Sequence, residues 1–181
     1  MNQCDHFKVI EELRPFMDGE DNVTESQNDY CSRFRSHFSQ FPNDVIAQWF
    51  YEHPNSLSQN DWLNYRTLSF GLVKIPIDAV KNECFHDNPF VELYRQYLLQ
   101  GQLTPRIIRL VRYIKDKGSW PVPPIVLDNF DSKQVFPWGM GCSFPYQLLE
   151  GRHRFAVMIT LLDAVELLAE HDVWLCRRKL S

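Results

Sequence analysis

Apolar positions follow a helical spacing through the first third of the chain and change character after residue 65. Phe7, Ile10, Leu13 and Phe16 or Met17 recur every three or four residues, so a helix is expected over 5–17 with Asp5 as its cap. The polar, acidic stretch DGEDNVTESQND reads as a loop. YCSRFRSHFSQF and PNDVIAQWFYEHP read as two further helices, the second opened by Asn43 or Asp44 and closed by Pro54.

Beyond residue 65, strand and helix patterns alternate. FGLVKIPIDAV carries Leu72, Ile75 and Ile77 around Pro76, which predicts an edge strand because proline cannot donate to a central ladder. NPFVELYRQYLLQG places Phe90, Leu93, Tyr94, Tyr97 and Leu98 on one helical stripe stopped by Gly101. TPRIIRLVRYIKDKG has Thr104 as N-cap, Pro105 in the first turn and Gly118 at its end. PPIVLDN and YQLLE predict short strands. GRHRFAVMITLLDAVELLAEH predicts one long, deeply packed helix, and VWLCR a last strand. The expected fold is α+β: a small mixed β-sheet with packed helices over 66–181, preceded by a helical N-terminal extension over 1–65.

A length of 181 residues accommodates one domain with an appendage, and 44% apolar against 23% charged residues matches a globular chain. There is no run of eighteen apolar residues for a membrane span, and the acidic, interrupted first twenty residues do not resemble a secretory signal. The five cysteines are scattered without a CxxC pair, so free thiols, no metal site and a cytoplasmic location are expected. The net charge of −4 is divided unevenly: residues 1–65 hold 4 Lys/Arg against 11 Asp/Glu, and residues 66–181 hold 15 against 12. The second part can attract an anion while the first repels one.

The most informative stretch is EGRHRFA, where a strand runs into a helix. Amides at a helix start lack intrahelical partners and carry roughly half a positive charge. Gly151 allows close backbone approach or a positive φ, and Arg152, His153 and Arg154 add donors where basic residues oppose the helix dipole. Cations placed against their own helix dipole point to a bound anion, most simply a phosphate. The structural alternative is that Arg152 is solvated while His153 or Arg154 pairs with a carboxylate such as Glu150.

KIPIDAV, then PVPPIVLDN, then EGRHRFA, then DVWLCR resembles the ParB/sulfiredoxin superfamily, whose members share an IPI strand, a PIxV strand and a GxHRxxA-like turn. Gly151, His153, Arg154 and Ala156 match the turn as G-x-H-R-x-A, the alanine one position earlier than in GxHRxxA, and the resemblance covers about residues 66–178. It implies that the turn wraps nucleotide phosphates, with Gly151, Arg152, His153 and Arg154 binding ATP or another nucleotide. Sulfiredoxins carry a catalytic cysteine between the glycine and the histidine; Arg152 stands there, so sulfinic acid reduction is not expected. Cys142, nine residues upstream, reads as core filler. No helix-turn-helix follows the domain, so centromere binding of the usual ParB form is not expected either.

Two functions remain within that resemblance. The leading one is a nucleoside triphosphate- or diphosphate-dependent phosphotransferase or a nucleotide hydrolase, similar to free serine kinases of this fold. Such chemistry needs phosphate clamps, usually Mg²⁺, and a carboxylate. Glu150 adjoins the clamp, Glu83 sits near where the kinase relatives place a catalytic glutamate, and Asp78 is a weaker third. The alternative is a DNA-binding or nuclease-type component of a DNA modification, restriction or plasmid-related system, since EGRHR is similar to the DGQHR turn of such relatives. Arg106, Arg109 and Arg112 recur at i, i+3, i+6 and could face a phosphate backbone. A third class is a non-catalytic interaction protein that docks a partner through the N-terminal extension. The long stretch DNFDSKQVFPWGMGCSFP, with Phe136, Trp138 and Phe144 for stacking and Gly139 and Gly141 for motion, is a candidate base-contacting loop.

Overall fold

Aromatic side chains at helical spacing build the first of two compact units, and a four-stranded sheet builds the second. The computed structural model describes residues 9–20, 22–82, 89–130, 142, 145–162 and 164–178. Unit one comprises Met1–Phe70 and Arg177–Ser181, and unit two Gly71–Cys176.

In unit one the first helix stops near residue 12, short of the expected Met17. Pro15 explains the stop, because the residue before a proline is pushed out of helical conformation. Ile10 and Leu13 are buried, whereas Phe16 and Met17 are exposed on a small hairpin bridged between Met17 and Val23. Phe7 lies outside the described residues. Helix α1, Gln27–His37, is capped by the Ser26 hydroxyl accepting from the Asp29 amide. Helix α2, Asn43–Ile46, widens into a π-turn over Ala47–Tyr51, and α3 spans Ser56–Gln59. Their inner faces form an aromatic core: Phe34 stacks on Phe50 at 5.1 Å, Trp49 on Phe50 at 4.6 Å, and Phe41 meets Phe70 at 4.5 Å. Arg33 is drawn into this unit, donating to the carbonyls of Glu12 and Arg14 and pairing with Glu25.

Unit two follows the order β1 (Leu68–Pro76), α4 (Ile77–Asn82), α5 (Pro89–Leu99), α6 (Pro105–Lys117), β2 (Ile125–Asp128), β3 (Tyr146–Glu150), α7 (Arg152–Leu161) and β4 (Glu170–Arg178). The unit boundary falls inside β1 and β4. Strand order is β1-β4-β2-β3, with β2 antiparallel to β3 and parallel to β4. The architecture is therefore α+β with a small mixed sheet, and the proline-bearing β1 lies at an edge as its composition predicts. Helix α6 has the expected ends: the Thr104 hydroxyl accepts from the Ile107 amide, and Gly118 closes it at φ 66°.

Two helices of unit two depart from expectation. Helix α7 ends at Leu161 instead of continuing to residue 171. The segment beyond serves as a connection, its backbone committed elsewhere: the Leu168 amide donates to the Gly118 carbonyl, and the Ala169 carbonyl accepts from Ile77. Tertiary bonds of this kind override helix propensity. On α5, Phe90, Leu93 and Tyr97 are exposed, and it is Val91, with Tyr94 and Leu98, that packs into the core. Phe155, Ala156, Val157 and Met158 of α7 are fully buried at the centre of that core.

Candidate functional site

The corner between β3 and α7 is built by the β2–β3 register. Ile125 pairs with Glu150, which sets Pro124 against Gly151. Gly151 adopts φ 111°, and a Cβ there would fall 2.6 Å from the Pro124 Cβ and 3.3 Å from the Arg154 guanidinium. Glycine is thus demanded twice, by conformation and by space.

Arg154 folds back over that glycine. Its Nη1 donates to the Val122 carbonyl at 3.0 Å and its Nη2 to Glu150 Oε1 at 3.2 Å. With side-chain exposures of 12% and 18%, Arg154 and Glu150 form a sheltered ion pair that ties the start of α7 to the chain entering β2. Arg152 is exposed, its guanidinium lying 4.6 Å over the Phe90 ring. Half-buried His153 lies with its ring 4.0 Å from Tyr94, tilted by 36°. Helix α5 therefore supports both residues from one side. No side chain caps α7, and the Phe155 amide closes the first turn on the Gly151 carbonyl.

The structure brings together Glu150, Gly151, Arg152, His153 and Arg154 and divides their work. Arg154 and Glu150 neutralise each other, and Arg152 with His153 forms the basic rim. Glu83 and the aromatic stretch with Phe136, Trp138 and Phe144 lie outside the described residues. Asp78 is exposed on α4, and Cys142 is half-buried, its carbonyl accepting from the Asn129 amide group. Val122, Pro124, Phe90 and Tyr94 escaped sequence reasoning as parts of this corner. The VPP run before β2 was the available signal for a rigid partner strand, and the aromatic pair at i, i+4 on α5 for a shared platform.

Chemically, the corner offers a helix start with its positive pole, a guanidinium and an imidazole, a set that fits a phosphate. Among the described residues, no group of three or more His, Cys, Asp or Glu side chains is arranged to hold a metal ion, and no helix is long and apolar enough to cross a membrane. No protein family matches the chain, and neither a curated protein nor a solved structure does.

Proposed function

We propose that unit two binds a nucleotide by its phosphates at the start of α7 and acts on it as a phosphotransferase or nucleotide hydrolase. The observation that carries this reading is the uncapped start of α7 beside an exposed Arg152 that pairs with no carboxylate among the described residues. A cation at a helix start opposes the dipole by a few tenths of a kcal/mol, and a bound phosphate reverses the sign of that contribution. The Arg152 guanidinium lies over the Phe90 ring and makes no hydrogen bond or ion pair among the described residues, so its N–H donors remain for a phosphate. His153 adds an imidazole to the same rim. In this reading Arg154 positions the corner and Arg152 with His153 binds.

Glu150 supplies the nearest carboxylate, oriented by Arg154, and Glu83 enters through the resemblance to the superfamily kinases. ATP is the first nucleotide to test, with Mg²⁺ as its ordinary counter-ion.

A thermal-shift panel of nucleoside di- and triphosphates, with and without Mg²⁺, tests the reading. A binding nucleotide at a hundred times its Kd adds about 2.7 kcal/mol of apparent stability. Arg152→Ala is expected to weaken that nucleotide about tenfold to a hundredfold by removing charge-assisted hydrogen bonds, without unfolding the protein. Release of inorganic phosphate with and without an added hydroxyl acceptor then separates hydrolysis from transfer. A panel with no shift, or Arg152→Ala at full affinity, overturns the clamp.

A further inference from the structure

The solvent face of α6 concentrates charge to a degree unlike the rest of a net-acidic chain. Between Pro105 and Lys117 the helix carries Arg106, Arg109, Arg112, Lys115 and Lys117, all exposed, against Asp116, which pairs with Lys117 at 2.9 Å. Arg109 and Arg112 make no ion pair or hydrogen bond among the described residues. Like charges three residues apart repel one another, and Arg106 sits in the first turn against the helix dipole. The fold keeps Arg109 and Arg112 side by side, with no neutralising partner among the described residues.

Three features decide what would. First, the opposite face of α6 is already spent: Ile107 and Ile114 are buried, and Leu110 and Val111 pack on the same core. A basic amphipathic helix that binds a lipid surface must insert its apolar face, and this one has none to offer. Second, the row consists of arginines, whose planar fork matches phosphate oxygens in a bidentate fashion. Third, Tyr113 stands 40% exposed one turn beyond Arg109 on the same helix, an aromatic face of the kind on which a base stacks. From Arg106 to Arg112 the helix rises about 9 Å, a span over which one nucleic-acid strand presents about three phosphates.

We infer that the exposed face of α6 binds the phosphate backbone of a nucleic acid, with Arg106, Arg109 and Arg112 on successive phosphates and Tyr113 against a base where the strand is single. The site uses none of the residues at the start of α7 and stands independently of the nucleotide reading.

Fluorescence anisotropy of the whole protein with labelled single strands and duplexes of about 20 nucleotides tests this. On the duplex, three backbone contacts give a slope of about −2.7 in log affinity against log salt, a loss of about 40-fold from 50 to 200 mM, and on the single strand a slope of about −2.1. Arg109→Gln with Arg112→Gln is expected to flatten the duplex slope to about −0.9 in a protein whose circular dichroism is unchanged. Arg35→Gln, an exposed arginine of α1, is expected to leave the slope alone. A thermal-shift panel in which no nucleotide binds has no bearing on these anisotropy results. No binding to either probe at 50 mM salt overturns the inference. So does binding that the double variant leaves unaltered, or a polyglutamate peptide bound where the nucleic acids are not.

Discussion

Arg154 on α7 and the pair Arg109 and Arg112 on α6 belong to the same unit, yet the fold treats their charges in opposite ways. Arg154 is sheltered, with one end of its guanidinium on Glu150 and the other on the Val122 carbonyl. Arg109 and Arg112 stand in water without a partner among the described residues. Arg33 in unit one repeats the first pattern, closed over two carbonyls and Glu25. A sheltered and fully bonded arginine holds structure, since removing it strands the groups it satisfied. An exposed and unpaired one costs stability through repulsion and is free to meet a ligand. By that criterion the GRHR motif is mixed: Gly151 and Arg154 serve the corner, while the exposed Arg152 makes no ion pair among the described residues.

The largest expected effect falls on Gly151. A valine would have to hold φ near 111° and would drive its Cβ into Pro124 at 2.6 Å. Strain and overpacking together are expected to cost about 3 kcal/mol, read as a lower urea midpoint. A Gly151→Val protein of unchanged stability would mean that the β3–α7 corner is not held as described, and the contrast between the two kinds of arginine would lose its structural half.

Next comes Arg154→Met. It leaves the Glu150 carboxylate and the Val122 carbonyl without this donor, so stability is expected to fall by about 2–3 kcal/mol. Adding Glu150→Gln removes the stranded charge, and the double variant is expected to be more stable than Arg154→Met alone. Strictly additive costs in that cycle, measured by urea unfolding, would show that the two side chains do not act as a pair.

Much of this division was written in the chain, though not the part that decides it. The ends of α6 followed from Thr104, Pro105 and Gly118 because caps are local chemistry. The strand–turn–helix placement of GRHR followed from YQLLE and the apolar run behind it. What no local pattern contains is Val122, 32 residues before Arg154, or Pro124 against Gly151; both depend on the β2–β3 register. Helix α5 misled for a different reason. Apolar side chains occupy most of its circumference, so Phe90, Leu93 and Tyr97 read as core while Val91 takes that place. The end of α7 at Leu161 was equally hidden, since it depends on distant bonds at Gly118 and Ile77.

A third fate of a basic side chain sharpens the contrast, with a smaller effect. His171 is buried, its Nδ1 2.9 Å from the Ser119 hydroxyl and its ring 5.0 Å from Trp120. Burial pushes its pKa below 6.5, against the opposing pull of the neighbouring Asp172 carboxylate. Here the fold refuses the charge. Because the folded pKa lies below the unfolded one, the unfolded chain takes up the proton first as pH falls. The contribution is therefore intact above about pH 6.5 and is lost below it, at no more than about 1.4 kcal/mol per pH unit, until the folded pKa is reached. Urea unfolding from pH 7.5 to 5.5 is expected to show a stability decline that His171→Gln reduces. An equally steep decline in the variant would assign the pH dependence to other groups.

The smallest effect is the most discriminating, because its sign is opposite. Arg109→Gln and Arg112→Gln each remove a like-charge neighbour from a helix face where neither arginine has an ion-pair partner among the described residues. Each is expected to raise the stability of the unliganded protein by about 0.2–0.5 kcal/mol at low salt. Salt screens exposed charges, so the gain should fade as ionic strength rises towards 1 M, where the Debye length is about 3 Å. The loss in Arg154→Met, arising from hydrogen bonds in a sheltered pair, should persist across the same series. Melting curves of the three variants from 20 mM to 1 M salt therefore place each arginine by the shape of its response. An exposed arginine whose removal destabilises the protein at every salt concentration has a structural partner, and α6 would then be an ordinary solvated helix.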